Sequence, residues 1–185
     1  RGATNLLPSS IFERCACLTS RIKLTGEVAS RPTLHDIPRK PAGPSDPIVS
    51  AHADQLRLTL HNSNPDVCII GVLVLVGDAF PAQIPAELHL CDRVVETRRG
   101  VKRWFALVLT PEEVLQSDRE VVLTACAPHK PGLPPAIDQV EVFGMRKERW
   151  GWTERHRRAQ QAAAQRERAA RKALRRGGGR GGDPV

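Results

Sequence analysis

The chain contains no tyrosine, and aromatic residues make up only 4% of its 185 positions. Sugar-binding faces favour aromatic platforms, so this composition speaks against one. A core built from this alphabet has to be aliphatic, with Trp104, Phe80, Phe105 and Phe143 as its few large pieces. Catalytic signatures are missing as well: there is no nucleophile-elbow GxSxG and no phosphate-cradling GxxxxGK[ST]. Structural zinc needs paired ligands at short spacing. Here the only close pair is Cys15 and Cys17, while His35 and His52 are scattered. No catalytic residue, metal or cofactor is expected. No apolar run reaches the roughly 18–20 residues that span a bilayer, so no membrane partner is expected either.

The five cysteines are an odd number, and three of them sit within apolar strand patterns, where cysteine behaves as a small hydrophobe. A secreted disulfide scaffold would carry denser, even-numbered cysteines, so the compartment is read as reducing, cytosol or nucleus. Cys91 lies near His89 and Cys126 near His129. Both pairs read as a strand residue beside a loop histidine rather than as a nucleophile and its base. The chain opens on Arg1 and is read as a piece of a longer protein.

What is present divides near residue 145. Residues 1–145 hold 15 Lys/Arg against 16 Asp/Glu and sum to −1, whereas residues 146–185 hold 13 against 4 and sum to +9, which together give the +8 net charge of the chain. Residues 1–17 read as an N-terminal extension. An early strand is expected within Leu18–Val28. Arg31–Pro47 carries five prolines, which lack the amide donor and fix φ, and reads as a loop or linker. From Gln55 onward, Leu56, Leu58 and Leu60 alternate with polar residues, the pattern of a strand with one wet face. Cys68–Val76 is a continuous apolar run, predicted to be a strand covered on both faces.

Further strands are expected at Ala86–Leu90, Lys102–Leu109, Glu120–Ala125 and Ile137–Phe143. Between them Thr110–Asp118 reads as a helical turn, with Thr110 as cap, Pro111 at the first position and Glu113 closing a capping box. Strands at this spacing without intervening long helices argue for an all-β antiparallel sandwich or jelly roll over residues 18–144. Trp152–Arg176 is rich in Ala, Arg, Gln and Glu, without Gly or Pro, and is predicted to be a basic helix within 145–176. Gly177–Gly182 opens a flexible tail over 177–185.

Dense positive charge at Arg155, Arg157, Arg158, Arg166, Arg168, Arg171, Lys172, Arg175 and Arg176 leaves three readings open. The segment is a solvated arm, a nucleic-acid contact, or a calmodulin target anchored by Trp150 or Trp152. Arg93, Arg98, Arg99, Lys102 and Arg103 would form a positive patch beside Trp104 for an acidic peptide or a scaffold segment. The loops His61–Asp66, Asp92–Val101 and His129–Pro135 are candidates for a binding surface at one end of the sandwich.

Ile137–Trp152, IDQVEVFGMRKERWGW, resembles the closing strand of discoidin-like, galactose-binding sandwich domains. Carried through VEVFGMRKERWGWTER, it resembles the end of such a domain in the calossin/BIG-type giant E3 ubiquitin ligases, relatives of the N-degron-recognising ligases. LRLTLHNSN (Leu56–Asn64) resembles the strand and turn that begin that region. The resemblance implies a discoidin-like jelly roll acting as a non-catalytic interaction or scaffold module of a ligase in ubiquitin-dependent protein degradation. Other segments of the ligase would be its partners. The zinc-bearing Cys/His arrays of that family have no counterpart here, so no ligand or catalytic residue carries over.

Overall fold

A computed structural model describes residues 12–29 and 47–177. In chain order it contains β1 (Ala16–Cys17), β2 (Ile22–Gly26), β3 (Ile48–Val49), β4 (Gln55–Asn62), β5 (Val67–Val76), β6 (Glu87–Leu90), β7 (Arg93–Glu96), β8 (Arg103–Val108), α1 (Pro111–Gln116), β9 (Glu120–Cys126), β10 (Ala136–Ile137), β11 (Gln139–Arg146), α2 (Lys147–Trp150) and α3 (Trp152–Gly177). The proline-rich stretch, the start of the N-terminal extension and the glycine-rich tail lie outside the described residues, apart from Pro47 and Gly177 at their margins.

All strand pairings are antiparallel. One sheet has the order β1-β11-β5-β8, a second the order β2-β4-β9-β6-β7, and β3 pairs with β10 in a short ribbon. Period-two alternation decides the facing of β4: Leu56, Leu58 and Leu60 are fully buried, while Gln55 and Arg57 are exposed. Strand β5 sits centrally in its sheet, and Leu73 is its only residue that is not buried. That explains why its sequence is a continuous apolar run rather than an alternation.

Leu58, Leu60, Leu88, Leu90 and Leu123 from one sheet join Val72, Val74, Leu107 and Val142 from the other in a single cluster. The largest fully buried side chains are all aliphatic. Burial of each such Leu contributes about 2 kcal/mol. The expectation that the rings are core pieces is corrected for Phe80, 42% exposed, and Trp104, 38% exposed; Phe105 and Phe143 are half-buried, and Phe105 packs against the core cluster. Phe80 lies in a turn. Trp104 stands on the solvent side of β8, an edge strand, whose inner face is supplied by Phe105 and Leu107 and continued by Leu109.

The α1 turn has the expected capping box. The Glu113 amide donates to the Thr110 hydroxyl at 3.2 Å, and the Glu113 carboxylate accepts from the Thr110 amide at 2.6 Å. The strand at Arg93–Glu96 is absent from the sequence-based expectations, because RVVE is short and lies on the edge of its sheet, where burial leaves little pattern.

The last strand passes directly into the helices. Gly151 ends α2 in the left-handed region, with φ 75°, and lets the chain turn into α3. Trp150 and Trp152 pack against the edge of the core cluster, with ring centroids 5.7 Å apart. Lys147 stands over the Trp152 ring at 4.3 Å and also pairs with Asp118, while Arg155 stands over Trp150 at 4.8 Å. Beyond this anchor, every side chain from Arg157 to Ala173 is exposed, as the lack of an apolar stripe requires.

Candidate functional site

The outer face of the five-stranded sheet gathers a set of polar and titratable side chains. Its residues follow from alternation: once Leu56, Leu58, Leu88, Leu90 and Leu123 point inward, Gln55, Arg57, Glu87, His89 and Thr124 must point outward. Register places Gln55 opposite Cys126, Arg57 and His89 on either side of Thr124, and Glu87 opposite Glu96.

Among the described residues, three histidine–glutamate pairs lie on or beside this face. His61 Nδ1 is 2.9 Å from Glu120, and its Nε2 is 2.9 Å from the buried Thr25 hydroxyl. His52 pairs with Glu27. His89 Nε2 is 2.8 Å from Glu87 Oε2 and 3.5 Å from Cys126 Sγ. A shallow depression of about 280 Å³ adjoins, lined by Thr25, Gly26, Glu27, His52, Gln55, Arg57 and Thr59.

The expected cysteine pairings are corrected by the register. Cys126 meets His89 across the β9–β6 ladder rather than His129, and His129 bonds to the Thr97 hydroxyl at 3.1 Å. Cys91, in a turn with φ 51°, faces Ser117 instead. Sequence proximity misled here because antiparallel pairing joins residues 37 positions apart. The Cys126–His89–Glu87 set is not a nucleophile–base–orienter relay, since thiol and carboxylate both address the same ring nitrogen. Burial pushes the Cys126 thiol up and the Glu87 charge adds to that, the opposite of what activates a cysteine nucleophile.

Several of the basic residues singled out by sequence are engaged by acidic or aromatic partners. Arg93 is 3.9 Å from the buried carboxylate of Glu113, and Lys102 is 2.7 Å from Asp78. Arg103 stands over Phe105 at 5.8 Å, and Arg98 and Arg99 are exposed in the turn joining β7 to β8. On α3, Arg157 and Arg158 both pair with Glu154, at 2.5 and 2.8 Å. The three candidate loops do not share one end. His61 sits opposite Glu120 and Gln55 opposite Cys126, so the His61–Asp66 turn and the His129–Pro135 loop cap opposite ends of the sandwich. Asp92 and Val101 are separated by β7.

Together these features define an all-β antiparallel sandwich with a polar outer sheet face and a basic helix leaving its closing strand. No family model matches the chain. It is 32% identical over 149 residues, 80% of its length, to a protein of Dictyostelium discoideum named a probable E3 ubiquitin-protein ligase. It is 26% identical over 154 residues, 83% of its length, to the auxin transport protein BIG of Oryza sativa subsp. japonica. To the protein purity of essence of Drosophila pseudoobscura pseudoobscura it is 30% identical over 105 residues, 57% of its length. The chain is a relative of the BIG-type proteins, in agreement with the resemblance carried by its closing strand and GW pair. It spans only 2 to 3% of the length of these relatives.

Proposed function

We propose that this chain is a non-catalytic interaction module within a giant BIG-type E3 ubiquitin ligase, serving ubiquitin-dependent degradation of N-degron substrates in the cytosol or nucleus. The observation that carries the reading is the similarity to a ligase-named relative over 80% of the chain. The chemistry on the outer sheet face is compatible with it, because the Cys126–His89 contact there is held in a form unsuited to nucleophilic attack. A discoidin-like jelly-roll topology is part of this proposal. The sandwich would serve as a spacer and docking body, and α3 as a connection to other segments of the ligase.

The test is affinity capture with residues 1–185 and with a truncation after His156, which keeps the anchoring Trp150 and Trp152, from nuclease-treated lysate with and without calcium. Recovery of BIG-type ligase segments by both forms is expected. A second reading, a free-standing module whose basic tail contacts nucleic acid or calmodulin, is favoured by the exposure of α3 from Arg157 to Ala173. It would be supported if binding is lost on truncation and depends on nucleic acid or calcium. That result would overturn the scaffold proposal for the body.

A further inference from the structure

We propose that Glu87, His89 and Cys126 form a binding site for a zinc-class divalent cation, stapling β6 to β9 on the outer face of the five-stranded sheet. The three ligand atoms, His89 Nε2, Cys126 Sγ and one Glu87 carboxylate oxygen, all lie within 4.8 Å of one another. Each side chain is half-buried, so the group is sheltered yet reachable from solvent.

One ring nitrogen serves both of the other two groups. His89 Nε2 faces Glu87 Oε2 at 2.8 Å and Cys126 Sγ at 3.5 Å. If that nitrogen carries a proton it donates to the carboxylate, and the sulfur is at most a weak second acceptor. If it is bare it accepts from the thiol, and its lone pair then points at a carboxylate oxygen. A divalent cation among the three atoms satisfies the nitrogen lone pair, the sulfur and the carboxylate together.

Cross-strand charge points the same way. Glu87 and Glu96 are direct partners in the β6–β7 ladder, and like charges placed opposite one another are destabilising. A cation at Glu87 offsets that repulsion, and solvent is left to complete the coordination of the three protein ligands.

The spacing suits zinc. With roughly 2.3 Å to sulfur and about 2.0 Å to nitrogen, a tetrahedral zinc holds those two ligands about 3.5 Å apart, the separation present here. The nitrogen and oxygen need to part from 2.8 Å to about 3.3 Å, which a turn of the Glu87 carboxylate provides. A set of one thiolate, one imidazole and one carboxylate favours zinc over the hard cations calcium and magnesium. Binding converts the Cys126 thiol to thiolate, and the displaced proton goes to solvent. Glu87 and Cys126 stand opposite one another within the β6–β9 register, between the Leu88–Ala125 pair and the 3.0 Å bond from the Ala86 amide to the Ala127 carbonyl. A metal there would tie two strands that the backbone already holds in register.

The experiment uses residues 1–185, purified metal-free under a phosphine reductant and titrated with cobalt(II), then with zinc. A thiolate-to-cobalt charge-transfer band saturating at one equivalent and displaced by zinc is expected, with zinc also raising the melting temperature. Cys126→Ser is expected to abolish the band. Glu87→Gln and His89→Ala are expected to weaken binding at least about tenfold, and Cys91→Ser to change nothing. Near-ultraviolet circular dichroism checks that each variant is folded. The half-exposed His89 keeps its variant informative should Cys126→Ser unfold. Absence of the band, its persistence in Cys126→Ser, or an unaltered zinc response in His89→Ala would overturn the proposal.

Discussion

Replacing Asp138 tests how one carboxylate holds the turn at the end of β5. Asp138 is buried between β10 and β11 and accepts backbone hydrogen bonds from Asp78 at 2.8 Å and Ala79 at 2.9 Å, so it clamps the turn that leaves β5. Hydrogen bonds to a charged acceptor contribute about 1.5–3 kcal/mol each. The Asp78–Ala79 turn lies at the surface, so water can satisfy its amides once the carboxylate is gone, which puts each bond at the low end of that range. Asp138→Ala is therefore expected to cost about 3 kcal/mol. Asp138→Asn keeps one acceptor and turns a donor toward an amide, which places it near half of that. Urea denaturation of the three proteins measures the difference, and the thermal midpoint of the alanine variant should fall by about 6–12 °C for a chain of this size. A midpoint in Asp138→Ala corresponding to less than about 0.5 kcal/mol would refute the clamp, because that is the range of ordinary surface substitutions.

Three further outcomes are expected. A Cβ at Gly144 would collide with the Leu18 side chain and the Cys68 carbonyl oxygen. Gly144→Ala should thus force β11 away from β5 and cost about 1–3 kcal/mol in chemical denaturation; unchanged stability would mean that the strands have room to part. For Glu113, burial raises the pKa, but hydrogen bonds from Thr110 and the Asp92 backbone and the charge of Arg93 outweigh it, leaving the value lowered. Its contribution is complete above the ordinary glutamate value and fades as pH falls through the lowered one. Wild type should accordingly lose more stability than Glu113→Gln between neutral pH and about pH 3, and parallel pH profiles would count against this. Finally, burial pushes the Cys68 thiol up to about 11, the Lys147 charge opposing it, whereas Cys17 and Cys91 are exposed. A colorimetric thiol reagent should label Cys17 and Cys91 in the native protein and reach Cys68 only on unfolding, as peptide mapping would show.

The sequence by itself determined the local elements. Alternation in Leu56–Leu60 assigns the inner face of β4, and the unbroken run Cys68–Val76 marks a strand covered on both sides. Thr110, Pro111 and Glu113 spell a helix start, and an alanine- and arginine-rich segment without Gly or Pro forms a long helix. Each depends on residues within a few positions of one another, the range over which backbone preference and solvent exposure act. The tertiary structure decided what depends on distant partners. Trp104 is exposed because β8 lies at a sheet edge, which its own alternation cannot reveal. Cys126 meets His89 rather than the nearer His129 because ladder register, set by packing of the two leucine-rich faces, brings β6 against β9. The same register sends two of the candidate loops to opposite ends, since spacing along the chain carries no information about which strands become neighbours.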